Sequence, residues 1–250
     1  MRHVYIPSHD RVGSIRLPER LSEEDIEHTL VVYPEEADLY IAAYPESNVL
    51  VVRGDVRGIG QKRQVILDHA REAGQDWIWQ IDDDVRHMHQ RIPNTQRWTS
   101  CEFREGMGQI EWEYVDMEGV ASVCLGSRNV TWTLSSDVSL SRQSVFVLMD
   151  TRGTWNYQQD WLWEDVDLTL QMLLQGKDTL LLSDYSYSAG LTGAEGGNHE
   201  AWNERTDSER ELIMARYERY PKLIRRGKSP RNIHFDKTVL RRIRAGGPIA

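Results

Sequence analysis

The chain has 250 residues, of which 40% are hydrophobic and 28% charged, and this composition excludes the disordered and fibrous classes of protein. The length favours one domain, and the sequence lacks a run of about 18 apolar residues, so we expect no membrane span. Two cysteines, Cys101 and Cys124, are too few for a disulfide framework and indicate a reducing compartment, which we expect to be the cytoplasm.

The net charge of −9 is unevenly distributed along the chain. Residues 205–250 contain 13 lysines and arginines against 5 acidic residues, a balance of +8, which leaves −17 for residues 1–204. The sequence therefore predicts an acidic domain over residues 1–204 and a basic helical C-terminal extension over 205–250 that packs on or beside it. We expect the two parts to meet different partners.

The first third of the chain alternates short apolar runs with helical patterns. The apolar runs, bounded by turn residues, predict strands at 3–7, 29–34, 48–54 and 76–81. A polar loop is expected over 8–21, and apolar spacing predicts helices within 35–45 and over 58–74. This alternation predicts an α/β fold with a mixed, mostly parallel sheet flanked by helices.

The pattern is less regular in the second half. Further strands or buried runs are predicted at 109–119, 119–127, 131–140, 144–150 and 179–189. The segment 163–177 fits both a strand and a helix, and its length and Gly176 favour the helix. A charged helix is expected at about 204–220.

Three consecutive aspartates, Asp82 to Asp84, follow the strongly apolar strand at 76–81. In an α/β sheet, ligands bind beyond the carboxyl ends of the strands. On an extended chain Asp82 and Asp84 point to one side and Asp83 to the other. Two carboxylates on one side predict a site for Mn²⁺ or Mg²⁺, which would in turn hold a diphosphate. The alternative is a solvated acidic turn.

Other candidate side chains surround this segment in the predicted fold. Arg11 follows the first strand, where it could meet a phosphate or a base edge. Gly58 opens the helix at 58–74, so that its amides, with Lys62 or Arg63, could approach a nucleotide.

Two further carboxylates, Glu164 and Asp165, begin the helix predicted at 163–177. Carboxylates at a helix N-terminus, after an aromatic-rich loop, are well placed to act as a general base. The alternative is that they stabilise the helix N-terminus.

The order of "VYIPSHDR", "QIDDDV" and "WEDVDL" over about residues 3–200 resembles the GT-A class of nucleotide-sugar glycosyltransferases. The resemblance implies that Pro7, Ser8 and Arg11 hold the nucleotide base. It also implies that the aspartates bind the metal and the sugar diphosphate, and that Asp165 or Glu164 is the catalytic base of an inverting reaction. A late histidine often completes the metal shell in this class. We favour His199, which follows the glycine-rich "GAEGGN" of a loop that could wrap a diphosphate, over His234 in the tail.

The segments "VYIPSHDRVGSI", "LVVYPEEADLY" and "GIGQKRQVILDHAREAG" are similar to the TET/JBP-associated glycosyltransferases. These phage enzymes and their base J relatives attach a sugar to a hydroxymethylated base in DNA. The resemblance implies a UDP-sugar donor and a setting in the host cytoplasm, with no obligate protein partner.

A DNA acceptor would give the basic extension and the tryptophans a role. The target base must leave the duplex and stack on an aromatic ring. The candidates for stacking are Trp132, Trp155, Trp161 and Trp163. The candidates for phosphate contact are Arg225, Arg226, Lys228, Arg231, Arg241, Arg242 and Arg244. The alternatives are tryptophans in the core and a solvated C-terminus.

Three other functions fit parts of the pattern. A glycosyltransferase for protein or polysaccharide would leave the basic extension unexplained. A nucleotidyltransferase shares the sheet and the paired aspartates, but "PSHDRVGS" has one glycine where that class has a glycine-rich loop. A DNA-binding or scaffold protein without catalysis would bind neither metal nor nucleotide sugar.

Overall fold

A computed structural model describes residues 1–143, 145–157, 163–190, 199–220, 222–226 and 233–246. The N-terminal third alternates strands and helices as predicted. Its strands are β1 (Val4–Pro7), β2 (His28–Val32), β3 (Asn48–Val51) and β4 (Trp77–Ile81). Its helices are α1 (Leu17–Glu23), α2 (Ala37–Ala43, after a 3₁₀ turn at Pro34–Glu36) and α3 (Gly58–Glu72).

The remaining elements complete the sheet and add a C-terminal layer. The strands are β5 (Val85–Arg91), β6 (Trp98–Cys101), β7 (Val120–Ser127), β8 (Val138–Ser139), β9 (Phe146–Asp150) and β10 (Asp178–Ala189). The helices are α4 (Phe103–Tyr114), α5 (Arg128–Thr131) and α6 (Glu164–Leu174). The C-terminal elements are α7 (His199–Arg216), β11 (Ile224–Arg226), β12 (Ile233–Phe235) and α8 (Lys237–Arg244).

Ten strands form one sheet in the order β3-β2-β1-β4-β9-β7-β10-β5-β6, with β8 beside β10. Strands β1 to β4 are mutually parallel, β10 is parallel to β7, and β9, β5 and β8 run against their neighbours. The predicted α/β fold with a mixed, mostly parallel sheet is therefore confirmed.

Helices cover both faces of this sheet. Along β1, Val4 and Ile6 join a core with side chains of α1, α2 and α4, whereas Tyr5 joins a second core with α3 and α6. Successive residues of a strand point to opposite faces. The whole of β1 is buried, as expected for a parallel strand between two helical layers.

The structure corrects several sequence-based assignments. Residues 109–114 of the segment predicted as a strand at 109–119 form the end of α4, because Phe103, Met107, Ile110 and Tyr114 present one buried face at helical spacing. Helix α1 interrupts the predicted loop at 8–21, with Pro18 in its first turn. Of the strand predicted at 131–140, only the two residues of β8 form. The polar strands β5 and β6 were not predicted.

The described part of the C-terminal extension packs on α6. Trp163 and Leu170 share a hydrophobic cluster with Ile213, Tyr217 and Leu240. The Tyr217 hydroxyl donates a hydrogen bond of 2.7 Å to Oδ1 of the buried Asp167. The predicted boundary after residue 204 falls within α7, and the division into two parts stays a prediction. None of the described helices has the length and apolarity that a membrane crossing requires.

We predict that Leu240→Ala destabilises the protein by about 2–5 kcal/mol, because it leaves a cavity where α8 packs on α6. The matched control is Leu212→Ala on α7, where the leucine is 50% exposed, and we expect a change within about 0.5 kcal/mol. Urea denaturation of both variants measures the difference. Equal, small effects would contradict the packing of the extension as part of the folded domain.

Candidate active site

The candidate site lies where β1 and β4 end side by side. The two strands are parallel neighbours, with Val4 opposite Trp79 and Tyr5 opposite Gln80. The loop after β1 and the aspartates after β4 therefore meet at the same edge of the sheet. This edge is where α/β proteins bind their ligands.

Asp83 connects these two segments from the inside. Its carboxylate accepts a hydrogen bond of 2.5 Å from the Ser8 hydroxyl and one of 2.6 Å from Arg11. The Ser8 hydroxyl also lies 2.6 Å from the hydroxyl of Tyr40. Burial raises the pKa of Asp83, while the bonds from Ser8 and Arg11 oppose this shift. Asp83 thus holds the predicted nucleotide loop in place, with both of its oxygens engaged.

Asp82, Asp83 and Asp84 form a turn. The prediction that they continue the extended strand is therefore wrong in its geometry. Strand β4 ends at Ile81, and the Val85 amide donates to the Asp82 carbonyl over 3.2 Å. The carboxylates of Asp83 and Asp84 both approach Arg11, at 2.6 Å and 3.9 Å, whereas Asp82 contacts a different arginine.

The carboxylates of Asp82 and Asp84 are 27% and 31% exposed, in contrast to the buried Asp83. Burial, together with the charges of Asp82 and Asp83, raises the pKa of Asp84 to about 6. Negative charge is therefore in excess at this point, although Arg11 is near. Hard carboxylate oxygens with excess negative charge fit Mg²⁺ or Mn²⁺, so the residues present are compatible with the predicted metal.

Arg63 on α3 bridges the aspartates and α6. Its guanidinium donates to Oδ1 of Asp82 over 2.6 Å and to Oε1 of Glu164 over 3.0 Å. Burial disfavours the guanidinium charge, but Asp82 and Glu164 outweigh this cost and raise the pKa of Arg63. The role that the structure gives Arg63 is therefore to hold two carboxylates.

The two acidic residues at the start of α6 have different surroundings. Burial raises the pKa of Glu164, against the opposing charge of Arg63. Asp165, 14% exposed, accepts hydrogen bonds from Nε of Arg142 and from the Val166 amide, at 2.6 and 2.7 Å. The N-cap position belongs to Trp163, whose indole can only donate, so neither carboxylate is the capping residue of this helix.

Lys62 fixes the loop after β1 from the other side. Its buried ammonium donates to the Ser8 carbonyl and lies 3.8 Å from the centroid of the Tyr33 ring. Burial lowers the pKa of Lys62 to about 8. Gly58 begins α3 at a φ of +76°, which suits glycine.

The candidate tryptophans divide into core and surface residues. Trp163 and Trp155 are 0% and 1% exposed, so the prediction that Trp163 stacks on an acceptor base is wrong. The guanidinium of Arg142 lies over the Trp163 ring. Trp132 is 51% exposed, and Arg128 lies 5.8 Å from its ring centroid. Trp161 lies outside the described residues.

Among the basic and histidine candidates, Arg225 is exposed and pairs with Asp236 at 2.5 Å. His234 lies exposed in β12. Four other predictions fall outside what the structure describes: the side chains of His199 and Arg226, and the whole of Lys228 and Arg231.

The sequence analysis missed several residues that organise the site. Glu36, directly after β2, accepts from the Asp10 amide over 2.5 Å and lies 3.1 Å from Nδ1 of His9. His9, Asp10 and Glu36 are the group of three metal-ligand side chains that converge among the described residues, and their mutual bonds shape the loop. The signal was "PEE" at the end of a strand next to β1. The sequence held no comparable signal for Arg142.

The structure keeps the order of features on which the GT-A resemblance depends, with aspartates after a central strand and a Glu-Asp pair at the start of a later helix. The sequence matches the family of TET-associated glycosyltransferases over residues 2–197. The chain belongs to this family. Membership implies a nucleotide sugar as the donor.

Three solved structures show distant similarity to this chain. The protein A197 from STIV is 19% identical, with 76% of this chain and 86% of that chain covered at a TM-score of 0.42. A protein described as a nucleotide-diphospho-sugar transferase from Desulfovibrio desulfuricans is 10% identical, with 87% and 99% covered at 0.42. Mannose-1-phosphate geranyltransferase from Thermus thermophilus is 11% identical, with 100% and 68% covered at 0.35. At these TM-scores the similarities decide nothing about the site. No curated protein matches the sequence.

We predict that Lys62→Met removes a pH dependence of stability. With a pKa of about 8 in the folded state and an ordinary 10.5 unfolded, Lys62 loses its proton first in the folded protein. Wild-type stability relative to Lys62→Met should therefore rise as the pH increases above 8, by up to about 1.4 kcal/mol per pH unit.

Urea denaturation of both proteins between about pH 7 and 9.5 measures this difference, and the titrations of other groups cancel in it. A difference that stays constant over this range would mean that the folded state keeps the Lys62 ammonium fully charged.

Proposed function

We propose that the protein transfers a sugar from a nucleotide sugar, UDP-linked, to the hydroxyl of a hydroxymethylated pyrimidine in DNA. The reaction is a single inverting displacement that depends on Mn²⁺ or Mg²⁺. The observation that carries this proposal is the bridge of Arg63 between Asp82 and Glu164, which holds a metal-type carboxylate close to an acidic pair. Family membership supports the sugar transfer.

The donor half consists of the loop after β1 and the aspartates. Ser8 and Arg11 belong to this loop, and Asp83 binds both side chains. Asp82 and Asp84 would hold the divalent cation, with His199 as the proposed further ligand. When bound, the cation would neutralise the diphosphate and stabilise the leaving group. Lys62 positions this loop through the Ser8 carbonyl.

The acceptor half requires a base that takes the proton of the attacking hydroxyl. Asp165 is the first choice, because its side chain is more exposed than that of Glu164 and Arg142 orients it. The proton would pass to a carboxylate oxygen of Asp165 while the hydroxyl oxygen attacks the anomeric carbon from the face opposite the nucleotide. Glu164, enclosed beside Arg63, is the second choice.

The DNA acceptor is proposed from the family and from the charge of the C-terminal extension. Arg225, Arg241 and Arg242 are exposed among its described residues and could contact phosphates. Arg226 and Lys228 belong to the same proposal. A target base would be flipped from the duplex towards Trp132. If the gene is a phage gene, the host cytoplasm is the setting.

We predict that UDP and UDP-sugars raise the melting temperature of the wild type only in the presence of Mn²⁺ or Mg²⁺, since a ligand that binds the native state stabilises it. Asp84→Asn should abolish this rise, because it removes one of the two exposed carboxylates. Asp55→Asn, at a side chain 74% exposed and distant in sequence, is the matched control. A wild type that responds to no nucleotide, with or without metal, would overturn the donor proposal.

We predict that Asp165→Asn lowers the rate of sugar transfer to hydroxymethylated DNA by about 10²–10⁴-fold, since general base catalysis contributes that much. Transfer of radiolabelled sugar measures the rate, and Glu164→Gln is tested in parallel. Both variants should keep the metal-dependent thermal shift, because the donor aspartates are unchanged. Full transfer activity in both variants would exclude this pair as the base.

A further inference from the structure

One stretch of the acidic domain has no carboxylate at all. Residues 85–101, directly after the three aspartates, contain three arginines and two histidines but neither aspartate nor glutamate. Residues 119–136 also lack both acidic types and contain Arg128. In a domain with a charge of −17 over residues 1–204, such segments are places where a polyanion is not repelled.

The fold brings these two segments together. Strand β5 pairs with β10, which is parallel to β7, and α5 follows β7 directly. The guanidinium of Arg91 donates to the carbonyls of Thr131 and Leu134, at 3.1 and 2.7 Å, and so joins β5 to the end of α5. Strand β10 lies between β5 and β7: its Ser188 hydroxyl is 3.3 Å from Nε2 of His89, and its Tyr187 pairs with Ser127, directly before Arg128.

We group the side chains at the start of β5 and after β7 under the name cationic face. It comprises Arg86, His87, His89, Arg128 and Trp132. Arg86, His87 and Arg128 are exposed, as is the Trp132 ring beside Arg128. Arg20 adds a further positive charge, with its guanidinium 2.8 Å from Nδ1 of His87.

Among the described residues, neither Arg86 nor Arg128 forms an ion pair with an acidic side chain. Asp184 lies 3.6 Å from Arg91. The Arg91 side chain is only 9% exposed, so the negative charge of Asp184 is paired with an arginine beneath the surface. At the other end lies Asp84, whose carbonyl accepts from the Gly190 amide over 2.9 Å. Arg86 follows Asp84 by two residues, so the cationic face begins at the edge of the candidate donor site.

We propose that the cationic face binds a strand of the acceptor nucleic acid, with Arg86 and Arg128 on its phosphates and Trp132 stacked on an unpaired base. This inference rests on the proposed function and names the surface through which its acceptor is held. Arginine beside an exposed tryptophan suits a nucleic acid better than a polyanion without bases, because stacking requires an aromatic partner. In the described extension Arg225 and Arg244 also pair with Asp236 and Asp178, so we expect the extension to add less to this contact than the cationic face does.

The test is fluorescence anisotropy with hydroxymethylated single-stranded and duplex oligonucleotides over a series of salt concentrations. For Arg86→Ala/Arg128→Ala we expect affinity to fall about tenfold or more and the salt slope to decrease by about 1 for each lost phosphate contact. Arg53→Ala is the matched control, since that side chain is 83% exposed after β3, and it should bind as the wild type does.

Trp132→Ala separates a nucleic acid from other polyanions. Its affinity for the oligonucleotide should fall about tenfold, while its affinity for heparin should stay at the wild-type value. If Trp132→Ala lost affinity equally for the oligonucleotide and for heparin, or lost no affinity for the oligonucleotide, the proposal that Trp132 stacks on a base would be overturned. Melting temperatures of all variants near that of the wild type show that they are folded.

Sugar transfer distinguishes this proposal from the proposed function. Wild-type binding at the cationic face without any transfer to DNA would refute the function and leave the surface standing. Wild-type transfer with unchanged DNA binding in Arg86→Ala/Arg128→Ala would refute the surface. A loss of binding only in Arg241→Ala/Arg242→Ala would assign the acceptor to the C-terminal extension instead.

Discussion

The two ion pairs of Arg63 are the interaction on which the candidate site depends. A guanidinium that is almost wholly buried joins the end of β4 to the start of α6, through Asp82 and Glu164. Burying three charges is expensive, and their mutual attraction offsets this cost only when the geometry is good. Without the arginine, two carboxylates would remain uncompensated. The arrangement therefore contributes less to stability than to fixing where the donor and acceptor halves stand.

Helix α3 organises both halves from neighbouring positions. Successive helical residues point about 100° apart, so Lys62 reaches the loop after β1 while Arg63 reaches the aspartates and α6. Gly58 begins the helix at a positive φ, which suits glycine. The first turns of α3 thus hold segments that lie far apart in sequence, and they do so by charge and hydrogen bonding rather than by apolar packing alone.

The sequence predicted what is local and missed what depends on distant partners. Strands β1, β2 and β4 and helix α3 were predicted because their apolar spacing is complete within each segment. Strand β5 was missed because its polar side chains and the register shift at Ser188 and Ala189 hide the alternation. The sequence identified the candidate carboxylates but not the individual role of each. Asp83 pairs with Arg11, which is 72 residues away in sequence, and Glu164 pairs with Arg63, which is 101 residues away.

Opposite charges stand next to one another in this domain for a physical reason. A glycosyltransferase with a polyanionic acceptor must hold a diphosphate and a nucleic acid close together without allowing the second to occupy the site of the first. Asp82 and Asp84 attract a cation and repel a bare phosphate strand, whereas Arg86, two residues later, does the reverse. Residues 1–204 carry a net charge of −17, so under the proposed function a nucleic-acid strand would be attracted to the cationic face and to the basic extension rather than to the rest of the chain. On this proposal, the charge pattern would orient the acceptor before any base is recognised.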